Sequence, residues 1–161
     1  MSVDTPAAQL PSPGDDPLAL DRQVCFALAV ANRAVLAVYR PILDELGLTH
    51  PQYLVMLALW ERAPLTARQL GRTLQLDSPT LSPLLKRLEG QGLLTRHRSE
   101  VDERQLVLEL TDAGRELRAR AESVPQQVFE ALGVGLPELE ELHAALVRVN
   151  AAALRAGALR G

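Results

Sequence analysis

The hydrophobic pattern changes period twice along the chain, and each change marks a change of element. From about Leu18 to Leu46, residues Cys25, Leu28, Asn32, Val35, Tyr39, Ile42 and Leu46 recur at three- and four-residue steps, the stripe of one long helix. Pro41 is expected to bend or break that helix near the preceding turn, and Gly47 to stop it. "THPQYLVMLALWERA" opens a second helix: Thr49 and Gln52 have capping-box spacing, Pro51 suits a first turn and Pro64 ends the run. "LTARQLGRTLQL" predicts a third from the cap Thr66. "DSPTLSPLLKRLEGQG" predicts a fourth, capped by Asp77 or Ser78, stopped by Gly90 or Gly92 and distorted by Pro83. The period then becomes strand-like in "LLTRHRS" and "RQLVLEL", joined by the charged "EVDE", which predicts a β-hairpin with a polar tip. Helical spacing returns at Thr111, is interrupted by Pro125, and ends in a helix after Pro137. There Leu139, Leu142, Leu146, Val149 and Ala153 form a heptad-like seam suited to a partner helix.

The 161 residues suffice for one domain with a real core. Hydrophobic residues make up 47% and aromatics only 3%, so Leu, Ala and Val must build an interior that leans to helix. Residues 1–16, "MSVDTPAAQLPSPGDD", carry no helical or strand period and no signal-peptide pattern, and are expected to be a disordered tail. No apolar run is expected to reach the roughly 20 residues of a membrane span. The single cysteine excludes a disulfide within the chain and fits the reducing cytoplasm. His50, His97 and His143 stand at no metal-ligand spacing, and no phosphate loop or catalytic triad is present. No metal or cofactor is implied.

Charge alters the picture more by its distribution than by its net value of −3. Residues 62–98 hold Arg62, Arg68, Arg72, Lys86, Arg87, Arg96 and Arg98 against Asp77 and Glu89, a local +5 that leaves −8 elsewhere. Such a basic middle is either a solvated face or a footprint for phosphates. Three short helices followed by a hairpin is the order of a winged helix-turn-helix. In it the fourth helix of the chain enters the major groove with its N-terminal residues, here Ser78, Thr80 and Ser82, at the base edges. Lys86 and Arg87 follow one to two turns later. The hairpin offers Arg96, Arg98 and Arg104 to a minor groove. Asp102 would repel phosphates unless it orients Arg104 by a charge-assisted hydrogen bond; the alternative is that "VDER" is an ordinary exposed turn.

"LDSPTLSPLLKRLEGQGLLTRHRSEVDERQLVLELTDAG" resembles the recognition helix and wing of the MarR family of dimeric bacterial transcriptional regulators. The resemblance spans about residues 18–156. It implies a mainly α fold with a small β-hairpin wing: a winged helix-turn-helix at about 49–110 and a helical dimerisation region at about 18–46 and 111–156, in one domain over 17–161. It also implies that Asp102 and Arg104 are the wing-tip pair and that Arg104 enters the minor groove. "DRQVCFALAVANRAVLAVYRPILDELGLTHPQYLVMLALWE" resembles more narrowly the organic-hydroperoxide-sensing branch, the OhrR repressors, of the one-cysteine type.

That resemblance makes Cys25 the thiol that organic hydroperoxides oxidise, with release of double-stranded operator DNA, and Tyr39 the hydroxyl that hydrogen-bonds its thiolate. Sensors of the branch usually carry a second tyrosine just before "PQY"; this chain has His50. Its imidazole can donate to sulfur, or it merely occupies a first turn. With a helix starting near Leu18, Cys25 lies almost two turns in, where the dipole helps an anion little. Fourteen residues at about 1.5 Å rise put about 21 Å between Cys25 and Tyr39 along one helix, so unless the helix folds back the two are expected to meet only across a homodimer. Without a second cysteine, the oxidised product is a sulfenic acid that goes on to a mixed disulfide with a small cellular thiol, a sulfenamide, or a Cys25–Cys25 link between subunits. The apolar neighbours of Cys25 would favour alkyl peroxides. The resemblance places the operator, a pseudo-palindrome, before a gene for a peroxide-reducing thiol enzyme. The rival readings are a repressor released by a small aromatic ligand, with Cys25 an inert apolar residue, and a thiol peroxidase, for which no Cys–Arg pair is evident.

Overall fold

The computed structural model describes residues 16–159, so the expected tail over 1–16 lies, Asp16 apart, outside the described residues. The chain divides into two units, one up to Ala37 and one from Val38.

The first unit begins with a 3-10 turn, Leu20–Arg22, and holds the start of helix α1, Val24–Asp44. Between them Gln23 is extended (φ −80°, ψ 115°), and its Nε2 donates to the carbonyls of Pro17 (2.9 Å) and Ala19 (3.2 Å). This side-chain tie breaks the long helix expected from Leu18, and α1 restarts with Ala27 N–H on the Gln23 carbonyl. Cys25 is therefore the second residue of α1, not one nearly two turns in. Val24, Phe26, Leu28 and Val30 are all exposed. The expected absence of a long apolar run is also corrected. α1 has 21 residues and a window of mean hydropathy 1.4, long and apolar enough to cross a membrane, with Arg33 and Arg40 inside it. Length and composition alone do not separate such a span from an apolar helix that packs on a partner.

In the second unit α1 runs on through Pro41 to Asp44, without the expected break, and Leu43 enters the core. Then follow α2 (His50–Arg62), β1 (Leu65–Thr66), α3 (Ala67–Leu74), α4 (Ser78–Gly90), β2 (Leu94–Arg98), β3 (Leu106–Leu110), α5 (Asp112–Ala121), α6 (Val124–Leu132) and α7 (Leu136–Arg155). The caps are those the sequence predicts. Gln52 Oε1 accepts from Thr49 N–H (2.8 Å), Thr66 Oγ1 from Gln69 N–H (3.1 Å) and Asp77 Oδ1 from Thr80 N–H (2.9 Å). The helix-turn-helix corner is tight: a Cβ on Gly71 would lie 2.9 Å from the Leu76 carbonyl, to which its position gives way only as glycine.

The hairpin is joined by a strand the pattern did not show. The sheet is antiparallel in the order β1–β3–β2, with Leu65 opposite Leu108 and Arg98 opposite Leu106. Leu81, Leu85 and Leu88, one face of α4, pack with Met56, Leu59, Leu70, Leu94 and Leu108 in a core built of leucine. α7 buries none of its residues, and Leu142 and Val149 of its seam are about half exposed.

Candidate functional site

Burying Leu81, Leu85 and Leu88 turns the opposite face of α4 outward. Ser78, Thr80, Ser82, Lys86 and Arg87 are all exposed. Ser78, Ser82 and Lys86 follow at four-residue steps and share one line along the helix. Pro83 does not interrupt it, and the start is fixed: Ser78 is the first residue and Asp77 its cap.

The wing tip is an ordered loop. Ser99 N–H donates to the Gln105 carbonyl (3.0 Å) and Gln105 N–H to the Asp102 carbonyl (2.9 Å). Ser99 Oγ accepts from the N–H groups of Val101 (3.2 Å) and Asp102 (3.3 Å). Asp102 does organise Arg104, through the main chain rather than the guanidinium. Its Oδ1 accepts from Arg104 N–H (3.0 Å) and its Oδ2 from Gln105 Nε2 (3.1 Å). Arg98 sits at the base of the loop, with its guanidinium on the Glu103 carbonyl (3.3 Å). Arg96 is not at the tip. It lies mid-strand and ion-pairs Glu89 of α4, Nε and a terminal nitrogen both on Oε2 (2.8 and 2.5 Å). The Arg96 hydrogen bonds hold the Glu89 carboxyl below its ordinary range.

Tyr39 and His50 come together. Their rings meet edge to face with centroids 5.0 Å apart. Tyr53 follows 6.1 Å from Tyr39, and Trp60 lies 6.4 Å from Tyr53. Trp60 Nε1 donates to the Gly114 carbonyl (2.8 Å) at the base of the wing, where Thr111 Oγ1 also bonds the Gly92 carbonyl (2.5 Å). Burial raises the Tyr39 hydroxyl above its ordinary pKa and lowers His50. At neutral pH Tyr39 is thus a protonated donor and His50 a neutral imidazole with one N–H. Cys25, in the first unit, is an exposed free thiol in the first turn of α1. Among the described residues no cluster of His, Cys, Asp and Glu could hold a metal.

Sequence reasoning missed Glu89, whose pairing needs β2 beside α4, and the Tyr53–Trp60 continuation, which has helical spacing but reads as core. It took Gln52 only as a cap; the amide also reaches Gln91 Oε1 (3.4 Å).

A helix pair with an exposed polar face, followed by a hairpin wing whose sheet β1 completes, defines a winged helix-turn-helix transcription regulator. Residues 37–120 match the family model for the transcriptional regulators SarA/Rot. The Bacillus subtilis organic hydroperoxide resistance transcriptional regulator is 43% identical over 131 residues, covering 81% of this chain and 89% of that protein. Reduced AbfR bound to DNA, a protein of Staphylococcus epidermidis, superposes with a TM-score of 0.68 at 35% identity, over 84% of this chain and 94% of that one. Overoxidised AbfR bound to DNA gives 0.64 at 38%, over 81% and 95%. The chain belongs to the MarR family, in its organic-hydroperoxide-sensing branch. Its relatives are regulators rather than enzymes, which sets aside the thiol peroxidase.

Proposed function

We propose that this protein is a cytoplasmic redox-sensing repressor that holds operator DNA as a homodimer and releases it when an organic hydroperoxide oxidises Cys25. The observation that carries the reading is the Tyr39–His50 pair, two half-buried donors in ring contact, in a chain with one cysteine. The helical spacing of Cys25 and Tyr39 supports donors from the other subunit, Tyr39 and His50 of one chain serving Cys25 of its partner. The exposed apolar residues around α1 and the unpartnered seam of α7 support a second copy as what covers them.

The chemistry balances with the hydroperoxide as oxidant. The thiolate attacks the distal oxygen, the O–O bond breaks, and the alkoxide leaves as alcohol after taking a proton, leaving Cys25 sulfenic acid. A small cellular thiol then displaces water, giving a mixed disulfide. A bulky adduct at a packed dimer interface moves the recognition helices, which a small oxidised sulfur need not do. That overoxidised AbfR has been seen on DNA supports this distinction. On DNA, Ser78, Thr80 and Ser82 face base edges, Lys86, Arg87 and Arg98 the backbone, and Arg104 the minor groove. Arg96 acts on the wing's orientation through Glu89.

The test is a binding titration on a duplex selected by the reduced protein from a random-sequence pool, with cumene hydroperoxide and a small thiol added. Wild type is expected to leave the DNA and Cys25→Ser to stay. Equal behaviour of the two overturns the reading, and release of both marks a gate that does not use the thiol.

A further inference from the structure

Gln52 is the buried polar side chain of the described core, 4% exposed, and it sits where three helix ends meet. Its Oε1 accepts from the N–H and hydroxyl of Thr49 (2.8 and 3.2 Å), the residue directly before His50. Its Nε2 donates to Gln91 Oε1 (3.4 Å). Gln91 is the C-cap of α4, its N–H on the Arg87 carbonyl (2.9 Å). Its own Nε2 donates to the carbonyl of Gly47 (2.9 Å), the φ +69° residue that follows α1. Two amides thus tie the end of the helix that carries Tyr39, the start of the helix that carries His50, and the end of the recognition helix.

We infer that Gln52 and Gln91 are positioning residues that transmit a change at the Tyr39–His50 pair to α4. The inference rests on the peroxide-sensing reading above. Gln52 spends its oxygen on the α2 cap, so only its amide nitrogen faces α4. If the first turn of α2 shifts, Gln91 must follow, or a buried amide is left without an acceptor, which is costly. The 3.4 Å bond is the longest of the set and the point at which the arrangement gives. α4 is 13 residues long, about 20 Å, so a small rotation at Gln91 displaces Ser78 at the reading end.

Gln91 is exposed, so Gln91→Ala removes both side-chain bonds without opening the core. Gln91→Glu keeps the oxygen facing Gln52 and loses the donor to Gly47. Arg120→Ala is the control: it removes a bond from α5 to the Glu45 carbonyl (2.7 Å) beside the same end of α1 without touching α4. Each protein is titrated, reduced and after cumene hydroperoxide with thiol, on the selected duplex, with Cys25 sulfenate formation and melting followed separately.

Gln91→Ala is expected to form sulfenate at the wild-type rate and to bind DNA normally when reduced. Its ratio of reduced to oxidised affinity is expected to shrink at least about fivefold, the lower end of usual coupling. Gln91→Glu should fall between it and wild type, and Arg120→Ala should match wild type. An unchanged ratio in Gln91→Ala, an equal loss in Arg120→Ala, or failure of reduced Gln91→Ala to bind DNA overturns the inference. Wild type that stays on DNA after oxidation sinks the sensing reading itself, and the wild-type arm alone reads that.

Discussion

The carboxylate of Asp102 holds Arg104 by its backbone: Oδ1 accepts the Arg104 N–H at 3.0 Å while Oδ2 takes the Gln105 amide. An acceptor is needed at that oxygen, and a negative charge is not. Asp102→Asn keeps the acceptor for Arg104 N–H, and the exposed Gln105 amide can turn its oxygen to the new Nδ2, so it is expected to bind operator DNA close to wild type, whereas Asp102→Ala loosens the tip and weakens binding. Arg98→Ala should lower the slope of log K against log salt by about 0.9 for each wing that loses its phosphate contact. Anisotropy titrations across a salt series check all three. An Asp102→Asn as weak as Asp102→Ala would show that the charge matters.

Arg96 makes the opposite case. Because Glu89 engages its donors, Arg96→Ala should leave the salt slope unchanged and lower stability instead. The sign with pH follows from Glu89. Its folded pKa is depressed, so the pair's contribution is present above the ordinary carboxylate value and is lost as pH falls through the lower folded value. The melting difference between wild type and Arg96→Ala should therefore be constant near neutrality and close in acid. A difference that persists at pH 2 argues for packing of the arginine stem instead.

These two residues show what a linear reading can and cannot reach. Thr49, Thr66 and Asp77 were legible as caps because a cap is a bond between residues three apart. The hairpin and the exposed face of α4 were legible from period alone. β1 was not, since two residues carry no alternation. The start of α1 was missed because Gln23 turns its side chain back on the preceding carbonyls, a choice no periodicity records. Arg96 was misplaced because Glu89 is seven residues away in sequence and meets it only once β2 folds beside α4.

His50 tests the thiol site. Burial lowers its pKa, so it is neutral at pH 7 and gains a proton only below the usual imidazole value near 6.5. The unfolded chain takes up that proton first as pH falls. Stability is thus flat above about pH 6.5 and lost between that value and the lower folded one. His50→Phe should remove this slope in melting curves. It should also slow Cys25 sulfenate formation about fivefold at pH 7, the value of one hydrogen bond. The rate ratio to wild type should vary with pH only on the acid side. An identical rate profile in the variant takes His50 out of the site.

Gly114 joins the aromatic row to the wing, accepting the Trp60 indole N–H at 2.8 Å. A Cβ there would strike the Leu93 carbonyl, and backbone cannot yield as a flexible side chain does. Gly114→Ala is expected to cost about 1–3 kcal/mol or more, the range of overpacking. Trp60→Phe loses the indole N–H and three packed heavy atoms and leaves the Gly114 carbonyl without its donor, so it should cost about 1–3 kcal/mol. Urea unfolding with unchanged m-values decides both. A neutral Gly114→Ala would mean that the base of the wing can move aside.

Leu142 and Val149 lie seven residues apart on α7, each about half exposed, on a helix with no buried residue. A heptad step keeps them on one seam, and a charge there cannot be desolvated against a partner helix. Leu142→Glu and Val149→Glu are each expected to leave the melting of the winged-helix core little changed while shifting sedimentation from dimer towards monomer at micromolar concentration. Operator affinity should fall more steeply than either wing's own contacts explain, because a dimer binds two half-sites as one event. The same variants should slow Cys25 oxidation if Tyr39 and His50 act from the partner chain. Monomers that oxidise at the wild-type rate would place the donors within one subunit and require α1 to fold back.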